Sequence, residues 1–281
     1  MVVSFSFPNN FFNIKDTLEC GQIFRFKSFL NGYLVFSLDK CAFCQEQDGK
    51  VIISCEQEDK GYFERFFDLS NDYSAIYNGA LSFGVDILSR SATLGRGIRI
   101  LNQNSVETLF SFIVSQNNNI PRVKGIIERL CANLGEKREF YGQEYFAFPS
   151  PEKMALASLE FYKSIGLGYR AEYVRKLAVN IVSGLDVNAF SSLDTPTLKA
   201  RLTALYGVGP KVSDCVSLFG FHRTDSFPVD TWIDKVYRQD FNGTLSNRSK
   251  IAEWFVQKFG QNAGYYQQYL FYFKRSLEKV L

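Results

Sequence analysis

The stretch from Leu205 to Asp230, LYGVGPKVSDCVSLFGFHRTDSFPVD, limits the fold more than any other part of the chain. Gly207 and Gly209 flank Val208, so the backbone there can take left-handed or tightly turned conformations that a side chain resists. Upstream, Asp194 or Thr195 can cap a helix, Pro196 suits its first turn, and Leu198, Leu202 and Leu205 follow at helical spacing. Downstream, Pro210 opens a second helix whose apolar face is Val212, Cys215, Val216 and Phe219. The pattern predicts a helix-hairpin-helix at about 196–220. Such a unit aims unpaired N–H groups and partial positive charge at a phosphate, through Gly207, Val208 and Gly209.

Lys211 falls in the first turn of the second helix. A cation there opposes the helix dipole, which disfavours the ammonium form, and an amine nucleophile needs that push. A solvated lysine contacting phosphate is the plainer reading of the same placement. Nineteen residues on, Phe227-Pro228-Val229-Asp230 leads into another helix. Asp230 is a natural N-cap, and the same geometry can aim its free oxygen at a site; spacing alone leaves both readings open.

With 281 residues and 46% hydrophobic content, the chain can build a substantial core of two or three compact units. The formal net charge of +3 is unevenly spread. Residues 1–90 carry 8 basic and 12 acidic side chains, and residues 91–281 carry 24 and 17, so the C-terminal two-thirds is the expected partner of a polyanion. Six cysteines form no dense framework. No secretory signal or membrane-spanning run is apparent, so the expected setting is reducing and cytoplasmic, nucleoid-associated in a bacterium. Cys41 and Cys44 form a C-x-x-C with Cys55 beyond, but a zinc site lacks a fourth ligand, since the lone His222 lies far away in sequence. No metal is expected.

The segments IFRFKSF, YLVFSL, AFCQEQ and VIISCEQ, punctuated by Asn31-Gly32 and Asp48-Gly49, read as an antiparallel sheet with one covered face. Helical patterns begin near Lys60 and dominate from Tyr73, and the small, polar stretch at 89–97 marks a boundary. The expected fold class is α+β: an N-terminal α+β domain at 1–93, then a helical region at 94–281.

Two loops in the helical region stand out. Val106, Leu109, Phe110, Ile113 and Val114 mark a buried helix that stops at Gln116-Asn117-Asn118-Asn119, before a helix beginning near Pro121 and carrying Arg122. Further on, Gly166-Leu167-Gly168-Tyr169-Arg170 places an aromatic beside a cation at a helix start. Such residues on loops are what a protein needs to unstack a base and occupy its place.

The GVGPK hairpin with PVD nineteen residues after its lysine resembles the helix-hairpin-helix DNA glycosylases, and a lysine at 211 their bifunctional, strand-cleaving branch. FDLSNDYSAI (67–76), GIRILNQNSVETLFSFIVSQNNNIPR (97–122), FAFPSPEKMA (146–155), GLGYRAEYV (166–174) and AGYYQQYLF (263–271) narrow the resemblance to the eukaryotic-type 8-oxoguanine DNA glycosylases. The C-terminal cysteine cluster that holds an iron–sulfur centre in endonuclease III relatives is absent.

The resemblance implies a monomer that needs no cofactor, excises 8-oxoguanine from double-stranded DNA and cleaves the abasic strand by β-elimination. It implies Lys211 as nucleophile and Asp230 as essential carboxylate. Gly21 would supply the carbonyl that accepts the N7 hydrogen found in 8-oxoguanine and missing from guanine. Cys215 and Phe271 would sandwich the flipped base, and Gln267 would read its Watson–Crick edge. Asn117 would fill the vacated space, Tyr169 would be the wedge, and Arg122 with Arg170 would read the orphaned cytosine. Two positions depart from the family pattern. Trp232 stands where a histidine is common and carries no charge, and Pro121 replaces a small residue before Arg122. A non-catalytic helix-hairpin-helix DNA-binding module and a glycosylase for alkylated or mismatched bases remain the alternatives.

Overall fold

In the computed structural model, residues 1–278 are described. The N-terminal part holds β1 (Val2–Pro8), α1 (Ile14–Glu19), β2 (Phe26–Phe29), β3 (Gly32–Ser37), β4 (Lys40–Gln47), β5 (Lys50–Glu56) and α2 (Lys60–Phe66). The sheet is antiparallel in the order β1-β5-β4-β3-β2, so β1, which the sequence reading left out, is an edge strand on β5. The Asp48-Gly49 turn is as expected, with both residues at positive φ. The first hairpin turns one residue earlier than expected, at Leu30-Asn31. Gly32 already pairs with Phe29, and its Cα lies against the Cys44 carbonyl with no room for a Cβ.

Both sheet faces are covered, where one was expected. Val35, Ala42, Cys44, Val51, Ile53 and Cys55 pack against Phe12 and the α2 phenylalanines, Phe63 and Phe66. Leu34, Phe36, Cys41 and Phe43 pack with Phe140. Cys41 and Cys44 therefore sit on opposite faces, as an offset of three in a strand requires.

The chain continues through α3 (Tyr73–Ser82), α4 (Asp86–Leu94), α5 (Ser105–Ser115) and α6 (Ile120–Leu134). The short hairpin β6 (Lys137–Phe140) and β7 (Gln143–Phe146) follows, and it is this hairpin that supplies Phe140. Then come α7 (Pro151–Leu156), α8 (Leu159–Ser164), α9 (Arg170–Val182), α10 (Thr195–Thr203), α11 (Pro210–Gly220), α12 (Thr231–Asp240), α13 (Arg248–Phe259) and α14 (Ala263–Glu278). One large apolar core joins α3 and α4 to the later helices, with Tyr73, Ile76 and Leu88 in the same cluster as Tyr269 and Leu270 of α14. Helix α3 and all but the last residue of α4 lie before residue 94, and α4 itself runs into the polar stretch at 89–97, so the large core starts upstream of that stretch.

Helix α5 runs through the middle of this core, and each buried large apolar side chain on it contributes roughly 1.5–3 kcal/mol. Two buried arginines tie the parts together. Arg25 pairs with Glu107 of α5 at 3.1 Å and donates to the carbonyls of Leu38 and Phe146. Arg99 donates to the carbonyls of Phe11, Phe67 and Asp68 and lies 3.9 Å from the Tyr73 ring centroid. Among the described residues, no helix is long and apolar enough to cross a membrane.

Candidate active site

The hairpin forms as predicted, and its two glycines are needed for different reasons. Gly207 has φ +83°, and a Cβ there would overlap the Tyr173 ring. Gly209 has an ordinary φ of −88° as the N-cap of α11, and a Cβ there would meet nothing within 4 Å. That side of the hairpin is open, and the first N–H groups of α11 have no intrahelical acceptor. Asp194 caps α10 by accepting from the Thr197 N–H. The two helices are joined by the Lys199–Asp214 ion pair at 2.8 Å and by Ser213 Oγ donating to the Lys199 carbonyl. Burial pushes the Asp214 carboxyl up, and the adjacent Lys199 cation opposes that shift.

Lys211 is exposed on α11, with Nζ 5.6 Å from the Phe112 ring centroid. Cys215, one turn later on the same face, is buried. Burial pushes its thiol up to about 11, against the pull of the nearby Lys211 charge. At neutral pH it is a neutral, polarisable wall beside the Lys211 side chain.

Asp230 is the N-cap of α12, as predicted. Its Oδ1 accepts from the N–H groups of Trp232 and Ile233, both at 2.9 Å, and its Oδ2 accepts no hydrogen bond from the described residues. Burial raises the carboxyl above its ordinary range. The Ile233 N–H, the Lys211 charge, the Trp232 N–H and the Arg248 charge work in the opposite direction.

These groups surround a cavity of about 50 Å³ whose lining includes Gly21, Lys211, Cys215, Asp230, Gln267 and Phe271. Six residues singled out in three separate stretches of the chain thus meet at one point. The cavity adjoins a cleft of about 1030 Å³ that shares Gly21, Lys211, Asp230 and Phe271 and runs past Pro121 and Lys124. Ligand pockets start at roughly 300 Å³, so the inner cavity must widen to admit a purine. Gln267 Nε2 donates to the Pro228 carbonyl at 3.1 Å. Its Oε1 is buried with no partner among the described residues, a state that is costly unless something later donates to it.

The predicted loop residues lie together at the hairpin's side. Asn117 is exposed with φ +47°, and Asn119 caps α6 by accepting from the Arg122 N–H. Arg122 is exposed, with Pro121 in the first turn as expected. Tyr169 is 52% exposed, so it can serve as a wedge. Arg170 differs from the expectation of a free base reader. It is buried under the Tyr169 ring, 4.4 Å from its centroid, and donates to the carbonyls of Gln116, Asn117 and Leu167. Four of its five N–H groups are engaged in fixing the asparagine loop, and Gln116 Nε2 in turn donates to the Gly207 carbonyl at 2.9 Å.

Sequence reasoning missed Phe112, which faces Lys211 and stacks on Phe219 at 5.6 Å. It also missed Gln268 and Arg275, which hold the loop before Gly21. Their helical periodicity is indistinguishable from that of ordinary core and surface positions.

Residues 4–109 match the 8-oxoguanine DNA glycosylase N-terminal domain, and residues 110–260 the HhH-GPD superfamily of base excision DNA repair proteins. A probable N-glycosylase/DNA lyase of Methanothermobacter thermautotrophicus is 31% identical over 229 residues, covering 74% of this chain and 71% of that protein. The structure of MBOgg1 in complex with a low affinity DNA ligand matches with a TM-score of 0.93 at 33% identity, over 99% of this chain and 96% of that one. The Clostridium acetobutylicum 8-oxoguanine glycosylase/lyase, in complex with double-stranded DNA containing cytosine opposite 8-oxoG, matches with a TM-score of 0.90 at 35% identity. That match covers 95% of this chain and 93% of the other. A lysine-bearing hairpin built onto this two-part framework, with kinship along nearly its whole length, means that the chain belongs to the 8-oxoguanine DNA glycosylase family of the HhH-GPD superfamily of base excision DNA repair proteins.

Proposed function

We propose that the protein flips 8-oxoguanine out of duplex DNA, excises it, and then cuts the abasic strand. The observation that carries this reading is the meeting of Lys211 and Asp230 at a cavity walled by Cys215 and Phe271, with the unpartnered Gln267 Oε1 inside. A buried acceptor without a donor suits the Watson–Crick edge of a guanine-type base, which presents N–H groups. Gly21 faces the same space, and its carbonyl is the acceptor for the N7 hydrogen. Guanine has a lone pair at N7, and opposing two buried acceptors is the strong form of discrimination.

Extrusion of the base costs a few kcal/mol, and Tyr169 and Asn117 offset it by supporting the gap. The hairpin from Gly207 to Gly209 holds a phosphate and fixes register without reading sequence. Arg122 reads the orphaned cytosine, with Arg170 fixing the loop beside it and offering its one remaining N–H. The protein acts as a monomer and without a cofactor.

At the sugar, the free oxygen of Asp230 stabilises positive charge developing on the ring. The amine of Lys211 bonds to C1′ as the bond from C1′ to N9 breaks, and the electron pair leaves with the base, which takes the proton that the amine gives up. The lysine nitrogen then expels O4′ from C1′, O4′ takes a proton as the ring opens, and the protonated imine that results acidifies C2′. Loss of the C2′ proton and departure of the 3′ phosphate oxygen complete the β-elimination, and water then frees the lysine.

The test uses duplexes carrying 8-oxoguanine or 3-methyladenine, with each base in turn opposite the lesion. Release of 8-oxoguanine with a nick on its 3′ side, fastest opposite cytosine, is the expected result. Release of 3-methyladenine without nicking would overturn the reading, as would equal binding of damaged and undamaged duplex with no base released.

A further inference from the structure

The loop between α1 and β2 carries Gly21 at φ +96°, and α14 holds that loop from the other side of the cavity. Gln268 Nε2 donates to the Cys20 carbonyl at 3.0 Å. Arg275 donates from Nη1 to the same carbonyl at 3.4 Å and from Nη2 to the Glu19 carbonyl at 2.5 Å. Its guanidinium carbon also lies 5.2 Å from the centroid of the Phe271 ring. A Cβ at Gly21 would sit 3.0 Å from Arg275 Nη1 and 3.5 Å from Phe271.

The guanidinium is thus in contact with the loop and with the stacking ring at once. Residues 267, 268, 271 and 275 follow one another at offsets of one, three and four, which places them along one side of α14. That side carries the base-edge reader, the stacking ring and both donors to the loop. The two carbonyls that Arg275 binds belong to the residues immediately before Gly21, so its fork fixes the direction from which the Gly21 peptide leaves the loop. The planar, two-pronged guanidinium does what a lysine cannot, since an ammonium is a single point of attachment.

We propose that Arg275 is a positioning residue for substrate discrimination: by bridging Glu19 and Cys20 while packed on Phe271, it sets the Gly21 carbonyl at the N7 side of the stacked base. It touches no reacting atom and acts through Gly21. The proposal rests on the reading of this cavity as the 8-oxoguanine pocket. It separates base recognition, which depends on the loop, from the lysine chemistry, which depends on α11 and α12.

The experiment compares wild type, Arg275→Lys and Arg275→Met. It uses duplexes with 8-oxoguanine, with 7-deaza-8-oxoguanine, which replaces N7–H by a CH2 group that donates no ordinary hydrogen bond, and with a preformed abasic site. Wild-type enzyme should excise 8-oxoguanine faster than the 7-deaza analogue; if it does not, the pocket reading itself fails, whatever the variants do. Given that preference, Arg275→Met should lose about tenfold on 8-oxoguanine, the size of one lost buried hydrogen bond, and close the gap to the analogue. Arg275→Lys should fall between the two. Cleavage of the preformed abasic site should stay within about twofold in both variants, since one uncoupled substitution leaves the α11 and α12 geometry alone. Parallel loss on the abasic substrate would reduce Arg275 to a structural residue and overturn the proposal. So would an unchanged ratio between 8-oxoguanine and its 7-deaza analogue.

Discussion

Replacing Asp230 by asparagine separates its two tasks. The cap should survive, because Oδ1 accepts both N–H groups and Asn ranks with Asp at an N-cap, so the loss from capping is within about 0.5 kcal/mol. The charge should not be missed by the fold. Burial raises the folded-state carboxyl pKa above the ordinary value, so the folded protein holds that proton more tightly than the unfolded chain does. Stability from this group is therefore fully present below the ordinary carboxyl pKa. It is lost as pH rises through the window up to the raised value. Asp230→Asn lacks that loss, so its Tm relative to wild type should climb across the window and at pH 7 equal or exceed that of wild type. Chemistry should move the other way. Removing one preorganised group aimed at developing charge costs about 2.7–4 kcal/mol, or 10²–10³ in rate. Single-turnover excision of 8-oxoguanine measures this, and thermal melts from pH 4 to pH 7 measure the stability. An unchanged excision rate would remove the carboxylate from the mechanism. A Tm that drops by several degrees at pH 7 would show that the charge holds the helix, and the burial argument would fail.

Lys211→Gln should abolish borohydride trapping to lesion DNA while leaving duplex affinity and folding intact, since the side chain is exposed; the cross-linked species on a denaturing gel is the readout. Gly207→Ala forces a side chain to φ +83° and into the Tyr173 ring. It should cost at least about 1–2 kcal/mol in denaturant unfolding and weaken binding to undamaged duplex, because the same turn presents the hairpin amides.

What could be read from the chain in advance was what local chemistry determines. Asp194 and Asp230 cap the helices that follow them because a cap is an interaction within three residues. The Gly207 turn and the Lys211–Cys215 face of α11 are local in the same way. The β6–β7 hairpin was not legible. Its charged stretch, KREFYGQEYF, has weak strand character, and it reaches the sheet core through the buried Phe140 and the half-buried Tyr145. The covering of the second sheet face was missed with it. Buried arginines defeat sequence reading for a different reason. Arg99, Arg25 and Arg170 look like surface cations, and their burial is sustained by backbone carbonyls, some of them brought from as far as 121 residues away. Arg275 and Gln268 reach back some 250 residues to Cys20 and Glu19, which no local pattern announces.

That last group of contacts explains how dispersed residues can act as one site. Gln116 joins the asparagine loop to the hairpin by donating to the Gly207 carbonyl, while its own carbonyl is held by Arg170 beside Tyr169. The hairpin, the asparagine loop and the Tyr169 loop are thus linked by direct hydrogen bonds, so in the proposed function a duplex seated on the hairpin meets Tyr169 in a fixed register. On the far side of the cavity, α14 performs the same service for the Gly21 loop. Lys211 and Asp230 lie between these two frames, each fixed at a helix start by its own backbone. In the proposed function, discrimination is then alterable at the α14 frame, and flipping at the loop frame, without moving Lys211. Substitutions in the two frames should accordingly combine additively in excision rate, as uncoupled sites do, and both should spare cleavage of a preformed abasic site.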